Sequence, residues 1–293
     1  QKQLKNYAKI FVHYALNGGQ GIRSGETVFL SGHESAKPLI LETRKQIYQA
    51  GGNVILSYAP DEDAGRTGIN RDLLTVANPK QLKFAPVNYW QGLVKDMDHI
   101  VWILSEANVH ELEGLPSNKI MLTEQARAPW MEIRREKEDA GKLSWTLGLW
   151  ATPSMAKEAG LSLKAYWAQI IKACRLNDKD PVATWRKISR DIATIRKELN
   201  KMNIKTLHLK GVDMDLQIKL GERRQWLGGG GRNIPSFEVF CSPDWRGTNG
   251  WARINQPLYF NGKKIANIFI RFKNGLVVEA KADTNQAALR EMI

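Results

Sequence analysis

Apolar and polar residues in the first sixty positions alternate between a helical period and short apolar runs. A helical face is followed by the apolar run TVFL (27–30), a helical stretch from Pro38 to Ala50 that two glycines end, and a second run, NVILSY (53–58). The helical face comprises Leu4, Tyr7, Ala8, Phe11 and Ala15. This order predicts a β-α-β unit, the repeating element of a parallel sheet.

Two further apolar runs, HIVWIL (99–104) and KIMLT (119–123), predict additional buried strands. The fold class expected for this part is α/β, a mostly parallel sheet with helices on both faces. Such sheets often bind a dinucleotide at a glycine-rich turn after the first strand. Here no G-x-G-x-x-G follows the run 27–30, and GQGIRSG (19–25) precedes a strand instead of opening a helix. A dinucleotide site is therefore disfavoured.

A short helix and two longer helices are predicted next, and the short helix and the last one each begin with a capping residue and a proline. Thr152 precedes Pro153, and Asp180 precedes Pro181. Apolar residues then recur at helical spacing, and the second run ends at 200–203. The two apolar faces comprise Leu163, Tyr166, Trp167, Ile170, Ile171 and Cys174, and then Val182, Trp185, Ile188, Ile192, Ile195 and Leu199. We interpret both faces as core.

The hydrophobic period changes from about 3.6 to 2 near Thr206, which predicts a domain boundary. Residues 1–205 are expected to form the α/β domain, and residues 206–293 the start of a β-rich α+β domain. The pairs Asn261-Gly262 and Asn274-Gly275 stand between apolar runs and predict hairpin turns. A last helix is predicted for QAALREMI (286–293), on which the chain ends.

One carboxylate in the second domain stands in apolar surroundings. Glu238 lies between Phe237 and Val239 in GGGGRNIPSFEVFCSP (228–243), which predicts a short strand entering a core after a mobile glycine loop. An ionised carboxylate removed from water needs an ion partner or a metal. Glu238 is therefore a candidate metal ligand or acid/base group, and the alternative is a strand that turns this side chain to solvent.

Charge, cysteines and histidines add few constraints. The net charge of +13 favours a nucleic-acid-binding module as an alternative. However, the basic residues are mixed with acids, as in EIRREKED (132–139), which indicates solvated helix faces.

Cys174 and Cys241 are not in C-x-x-C spacing, so we expect reduced thiols. The histidines, none in an H-E-x-x-H motif, are expected to be ordinary residues: His13, His33, His99, His110 and His208.

The expected location is the cytoplasm. No apolar run approaches the about 20 residues that span a bilayer, and no secretory leader is visible, although the chain begins at Gln1. A membrane partner is therefore not expected.

The motif N-x-P-x-x-E-V-F with the following Ser-Pro (233–243) resembles the first metal-binding segment of the M29 metallo-aminopeptidases, the thermophilic aminopeptidase family. Other blocks resemble that family in the same order and spacing, over nearly the whole chain. They are LGLWATPSMAKEAGLSL (147–163), DPVATW (180–185), DLQIKLGERRQW (215–226) and INQPLYFNGKKIANIFIRFKNGLVVEAKA (254–282). Two departures stand beside Glu238: Ser236-Phe237 replaces the family's Asp-Gly, and Cys241 replaces a threonine.

The resemblance implies a dimeric peptidase that removes N-terminal residues from peptides with two divalent metal ions (zinc, cobalt or manganese). Glu238 is the one position that matches a metal ligand, and no catalytic residue is assigned. The family's other ligands lie beyond the position of Ile293, so the chain is expected to be an incomplete copy that is inactive by itself. Glu238 would then pair with a basic neighbour such as Arg232 or be exposed. A scaffold that has the fold without the metal site is the second alternative.

Overall fold

The apolar runs at 27–30, 53–58 and 99–104 form three neighbouring strands of a five-stranded parallel sheet. We describe a computed structural model of the chain, which describes residues 1–64, 69–260 and 263–293. Its helices are α1 (Lys2–Ile10), α2 (Lys37–Gln49), α3 (Arg71–Val76), α4 (Pro79–Leu82), α5 (Val87–Asp96), α6 (Ser117–Ala126), α7 (Ala128–Asp139), α8 (Pro153–Glu158), α9 (Leu163–Ala173), α10 (Pro181–Lys201) and α11 (Gln286–Met292).

The strands are mostly short. They are β1 (Thr27–His33), β2 (Asn53–Ala59), β3 (Asp63–Ala64), β4 (Ile69–Asn70), β5 (His99–Leu104), β6 (Ser144–Leu149), β7 (Thr206–Gly211), β8 (Met214–Lys219), β9 (Leu227–Gly228), β10 (Asn233–Ile234), β11 (Val239–Phe240), β12 (Asn249–Ile254), β13 (Leu258–Phe260), β14 (Lys263–Ile265), β15 (Ile268–Lys273) and β16 (Leu276–Lys281).

By compactness the chain divides into two units. The first comprises Gln1–Asp191 and Gly229–Phe237, and the second comprises Ile192–Gly228 and Glu238–Ile293. The predicted domain boundary at residue 205 stays a prediction, which a cleavage experiment below tests.

The first unit contains the parallel sheet, in the order β10-β6-β5-β1-β2. Its largest core cluster joins α1, the π-helical turn Phe11–Ala15 that continues it, and residues of β1, α2 and β5. The approach of α1 to β6 is close, because a Cβ atom on Gly148 would lie 2.4 Å from the Phe11 ring. Glycine at this position therefore lets the first helix pack directly on the sheet.

The second unit is β-rich. Its main sheet is antiparallel, in the order β16-β15-β12-β8-β7. Asn274 and Gly275 join β15 to β16 with φ angles of +51° and +80°, which confirms the predicted hairpin turn. The other predicted turn, Asn261-Gly262, lies outside the described residues. The predicted fold class, a parallel α/β part followed by a β-rich part, is confirmed.

One predicted strand is wrong. Residues 119–123 lie inside α6, where Ile120 and Thr123 are buried and Met121 is exposed. This spacing of three residues is helical, and the Thr123 hydroxyl donates to the carbonyl of Lys119, 2.7 Å away, one turn earlier. The sheet takes β6 (Ser144–Leu149) next to β5 instead.

The predicted helix starts are confirmed by their caps. The hydroxyl of Thr152 accepts a hydrogen bond from the Met155 amide at 3.2 Å, and Pro153 opens α8. The carboxylate of Asp180 accepts from the Ala183 amide at 3.0 Å at the start of α10. Across residues 1–64, 69–260 and 263–293, no helix has both the length and the apolar character needed to cross a bilayer.

Candidate metal centre at Glu238

Glu238 immediately precedes β11, which pairs antiparallel with β9 in a two-stranded ribbon. Val239 is opposite Gly228, and Phe240 is opposite Leu227. Glu238 is exposed, and the cross-strand pair Leu227 and Phe240 is 48% and 45% exposed. The sequence predicts a strand that enters a core, whereas the structure places Glu238 at the surface, directly before a two-residue strand.

The backbone at Glu238 is held by a glycine on the opposite strand. A Cβ atom on Gly228 would lie 2.3 Å from the carbonyl oxygen of Glu238, and the φ angle of Gly228 is +153°. A larger side chain at residue 228 would therefore displace the backbone of Glu238.

The remaining glycines belong to the segment 229–237, which packs within the first unit. The hydroxyl of Thr146 donates to the carbonyl of Gly231 at 2.7 Å, and the amide of Leu147 donates to the carbonyl of Arg232 at 2.8 Å. A Cβ atom on Gly231 would lie 2.4 Å from the Cα atom of Ala15. The segment 229–237 therefore packs against Ala15 and strand β6, whereas the sequence predicts a mobile loop for its glycines.

Arg232 has a partner in the first unit. Its guanidinium lies 2.7 Å from a carboxylate oxygen of Glu138 and 5.4 Å from the ring centroid of Trp145. The sequence predicts that Glu238 pairs with a basic neighbour such as Arg232 or is exposed; in the structure Arg232 forms an ion pair with Glu138, and Glu238 is exposed.

Phe237, next to Glu238 in the chain, covers a buried tryptophan. Its ring centroid lies 5.4 Å from that of Trp185, with 30° between the ring planes. Trp185 is 1% exposed and donates through its indole nitrogen to the carbonyl of Cys174 at 3.0 Å. The aromatic residue that replaces the family's glycine is therefore part of the packing of the first unit.

The His, Cys, Asp and Glu side chains of the described residues do not form a metal site. In the part of the chain that the structure describes, no group of three or more His, Cys, Asp and Glu side chains could hold a metal ion. A catalytic zinc ion typically takes three protein ligands. Glu238 and the other described residues therefore do not fit a complete metal centre.

The histidines occupy separate places. His13 lies in the π-helical turn, His33 ends β1, and His208 lies in β7, 2.7 Å from Asp215. The ring nitrogens of His110 lie 3.3 Å from Glu113 and 3.1 Å from Glu158.

His99 is the centre of a polar network that the sequence analysis missed. This residue is 2% exposed, and its Nε2 and Nδ1 atoms each lie 2.9 Å from a partner, the Glu26 carboxylate and the Ser144 hydroxyl. The amide of Asn17 donates to that hydroxyl at 3.0 Å. A histidine at the first position of an otherwise apolar strand was the available signal, because a buried imidazole needs a partner at each nitrogen.

The same network acts on Glu26. Partial burial of Glu26 opposes ionisation, but hydrogen bonds from the Arg23 amide, His99 and Asn17 outweigh it and lower the pKa of this carboxyl group. The network ties the starts of β1, β5 and β6 together at the amino-terminal edge of the sheet.

The two thiols differ in their surroundings. Cys174 is fully buried, and burial raises its pKa to about 12, although a hydrogen bond with the hydroxyl of Tyr7 acts in the opposite direction. Cys241 follows β11 and is partly exposed. Both are free, as the sequence predicts.

Comparison with known proteins gives consistent matches along the whole chain. The family model described as "Thermophilic metalloprotease (M29)" matches residues 1–293. Aminopeptidase T of Thermus thermophilus is 26% identical over an alignment that covers 100% of this chain and 74% of that protein. Aminopeptidase AmpS of Bacillus subtilis is 25% identical, with coverage of 100% and 73%.

A solved structure shares the fold. The structure of wild-type AmpT from Thermus thermophilus superposes with a TM-score of 0.83 and 25% identity, and the match covers 99% of this chain and 74% of that one. The parallel sheet and the β-rich part therefore occur together in a structurally characterised relative.

Proposed function

The chain belongs to the M29 family of thermophilic metalloproteases, and on that premise we propose that it is a metal-dependent aminopeptidase that releases N-terminal amino acids from peptides. The observation that carries this proposal is the family match over residues 1–293. The matched relatives from Thermus thermophilus, Bacillus subtilis and Streptococcus thermophilus are all named aminopeptidases, which supports peptides as the substrate class.

Glu238 is the metal ligand of this proposal. This exposed residue directly precedes strand β11, and Gly228 on the opposite strand packs against its backbone. Because the described residues hold no group of three donors, the other ligands must come from outside that set. The donor set therefore supports the expectation that these 293 residues by themselves do not hydrolyse aminoacyl substrates.

The activity test compares the 293-residue chain with the complete product of its gene. Leucyl and arginyl p-nitroanilides are supplied with zinc, cobalt or manganese, and release of nitroaniline is measured. We expect turnover by the complete product, its loss with a chelator, and no turnover by the 293 residues. Absence of turnover by the complete product with every metal would refute the proposed activity.

The role of Glu238 is tested separately in the complete product. We expect Glu238→Ala to lower the amount of metal retained after dialysis, measured by elemental analysis, and to lower kcat/KM by at least about a hundredfold. Glu291→Ala, at an exposed glutamate of α11, is the matched control and should change neither quantity. Full metal content in the Glu238 variant would exclude it as a ligand.

Three finer points complete the proposal. The family resemblance suggests two metal ions per chain and a homodimer, which elemental analysis and light scattering measure. A cytoplasmic location stays a prediction, which cell fractionation tests.

A further inference from the structure

A small polar cleft of about 70 Å³ opens within the second unit, beside the β9–β11 ribbon that Glu238 precedes. Its wall includes the end of α10, the segment before β9, and the residue after β11. The polar side chains and the cysteine that line it are Asn200, Asn203, Lys205, Glu222, Arg224 and Cys241, and the indole of Trp226 adds an aromatic surface.

The wall is held by a two-point contact. The side-chain amide of Asn200 accepts a hydrogen bond from the backbone amide of Trp226 at 2.9 Å and donates to its carbonyl at 3.1 Å. Asn200 therefore fixes the position of Trp226 relative to α10.

The charged side chains of the cleft differ from Asn200, which is held by two hydrogen bonds. Among the residues that the structure describes, the side chains of Lys205, Arg224 and Glu222 have no hydrogen-bond or ion-pair partner. The charged lining thus combines two cations with one anion, for a net charge of +1. Such a cleft attracts a ligand with a single negative charge more than it attracts a cation.

The position of the cleft relates it to Glu238. Trp226 precedes β9 and Cys241 follows β11, so both strands of the ribbon end at the cleft. Glu238 and Cys241 are three residues apart, a separation that spans at most about 10 Å of chain. An extended tripeptide has about the same length.

We propose that this cleft binds the C-terminal carboxylate of a short peptide, an inference that rests on the proposed peptidase function. The guanidinium of Arg224 presents paired donors that match a carboxylate, and Lys205 adds a second positive charge. Glu222 lowers the net charge, so a carboxylate with one charge is favoured over a phosphate with nearly two. The cleft thereby favours short peptides with a free carboxyl end over peptides whose carboxyl end is blocked.

The test measures peptide binding to the 293-residue chain by isothermal titration, so that no turnover is needed. The probes are Leu-Gly-Gly and its C-terminal amide, which differ only in the carboxylate. We expect the acid to bind about fivefold more tightly than the amide, the size of effect that a partly exposed ion pair gives. Equal affinities, or binding of neither peptide, would overturn the proposal.

Charge variants identify the groups responsible. Arg224→Gln and Lys205→Gln should each reduce the difference between acid and amide, whereas Glu222→Gln should increase it. Arg223→Gln is the matched control, because Arg223 is exposed next to the cleft without lining it. An Arg223 variant that behaves like the Arg224 variant would show a general charge effect and refute a site.

Two further measurements distinguish a carboxylate site from a phosphate site, and the cleft proposal from the proposed enzyme activity. Inorganic phosphate should bind more weakly than Leu-Gly-Gly, and tighter binding of phosphate would contradict the assignment to a carboxylate. Leucyl p-nitroanilide has no carboxylate, and the complete gene product with the control substitution Arg223→Gln should hydrolyse it as well as the unsubstituted enzyme does. Failure of the unsubstituted enzyme to hydrolyse this substrate would refute the proposed function and leave the binding result to decide the cleft.

Discussion

The imidazole of His99 and the carboxylate of Glu26 meet at 2.9 Å where strands β1 and β5 begin. The histidine belongs to the first position of β5, and the glutamate directly precedes β1. Their contact therefore links two neighbouring strands at the point where each enters the sheet.

Removal of the Glu26 carboxylate should make stability less sensitive to acid. The pKa of Glu26 is lowered in the folded chain from its ordinary value of 4.5, so its contribution is present above that pH and is lost as pH falls through the folded pKa. We expect Glu26→Gln to lower the free energy of unfolding by about 1 kcal/mol at pH 7 and by less at pH 3.

Urea unfolding followed by tryptophan fluorescence at both pH values gives this comparison. Glu132→Gln, at an exposed glutamate of α7, is the control and should lower stability at neither pH. A loss in the Glu26 variant that is as large at pH 3 as at pH 7 would contradict the assigned linkage.

Two adjacent glycines should differ sharply in their tolerance of alanine. Gly230 and Gly231 have nearly equal φ angles, +83° and +80°, but a Cβ atom on Gly230 would lie 3.9 Å from its nearest neighbour, whereas one on Gly231 would lie 2.4 Å from the backbone of Ala15. Gly230→Ala should cost about 1 kcal/mol for the left-handed backbone. Gly231→Ala should cost about 2 kcal/mol more, because the backbone must move.

Thermal and urea unfolding of the two variants measure the difference directly, and each variant is the control for the other. Equal losses would show that the close approach of Gly231 to Ala15 does not exist in solution.

The two cysteines should react with thiol reagents at very different rates. Cys174 is fully buried and burial raises its pKa to about 12, so the reactive thiolate is scarce and inaccessible. Cys241 is partly exposed. We expect one thiol per chain to react quickly with Ellman's reagent and the second only after unfolding.

Cys241→Ser should remove the fast reaction, and Cys174→Ser should leave it unchanged. Rapid modification of both thiols in the folded chain would contradict the burial of Cys174.

Limited proteolysis tests the predicted domain boundary at residue 205. Helix α10 ends at Lys201, and residues 201–203 and 205 are exposed, so trypsin should cut first after Lys201 or Lys205. Mass spectrometry of early digests identifies the sites, and Lys201→Gln with Lys205→Gln should delay the first cut. First cuts scattered through 1–200, with none at 200–206 or 228–231, would argue against the boundary.

Regular elements were predictable where a local pattern determined them. The strand predicted at 99–104 matches β5 in both bounds, because apolar residues fill every position after His99 and polar residues flank the run. The helix starts at Pro153 and Pro181 follow from capping residues that act within one turn. These features need no knowledge of distant contacts.

The sequence predicts the wrong structure where contacts between residues far apart in sequence determine it. KIMLT reads as a strand in isolation, yet the burial of Ile120 and Thr123 on one side makes it a helix. The sequence pattern does not predict strand β6, because the packing of Gly148 against the ring of Phe11 joins residues that are far apart in sequence. The predicted strand is present but begins one residue after Glu238, and the exposure of Glu238 does not follow from the apolar character of Phe237 and Phe240, which are themselves exposed.

The order in which the sheet of the first unit is assembled affects synthesis of the chain. Its edge strand β10 pairs with β6, and the associated hydrogen bond joins residues that are 85 positions apart, Thr146 and Gly231. A ribosome adds this many residues in roughly 4 to 17 s. During that interval β6 emerges without its partner, and the residues translated meanwhile include β7 and β8 of the second unit. The nascent first unit therefore has an open sheet edge that invites pairing with other chains until the glycine run emerges and closes it.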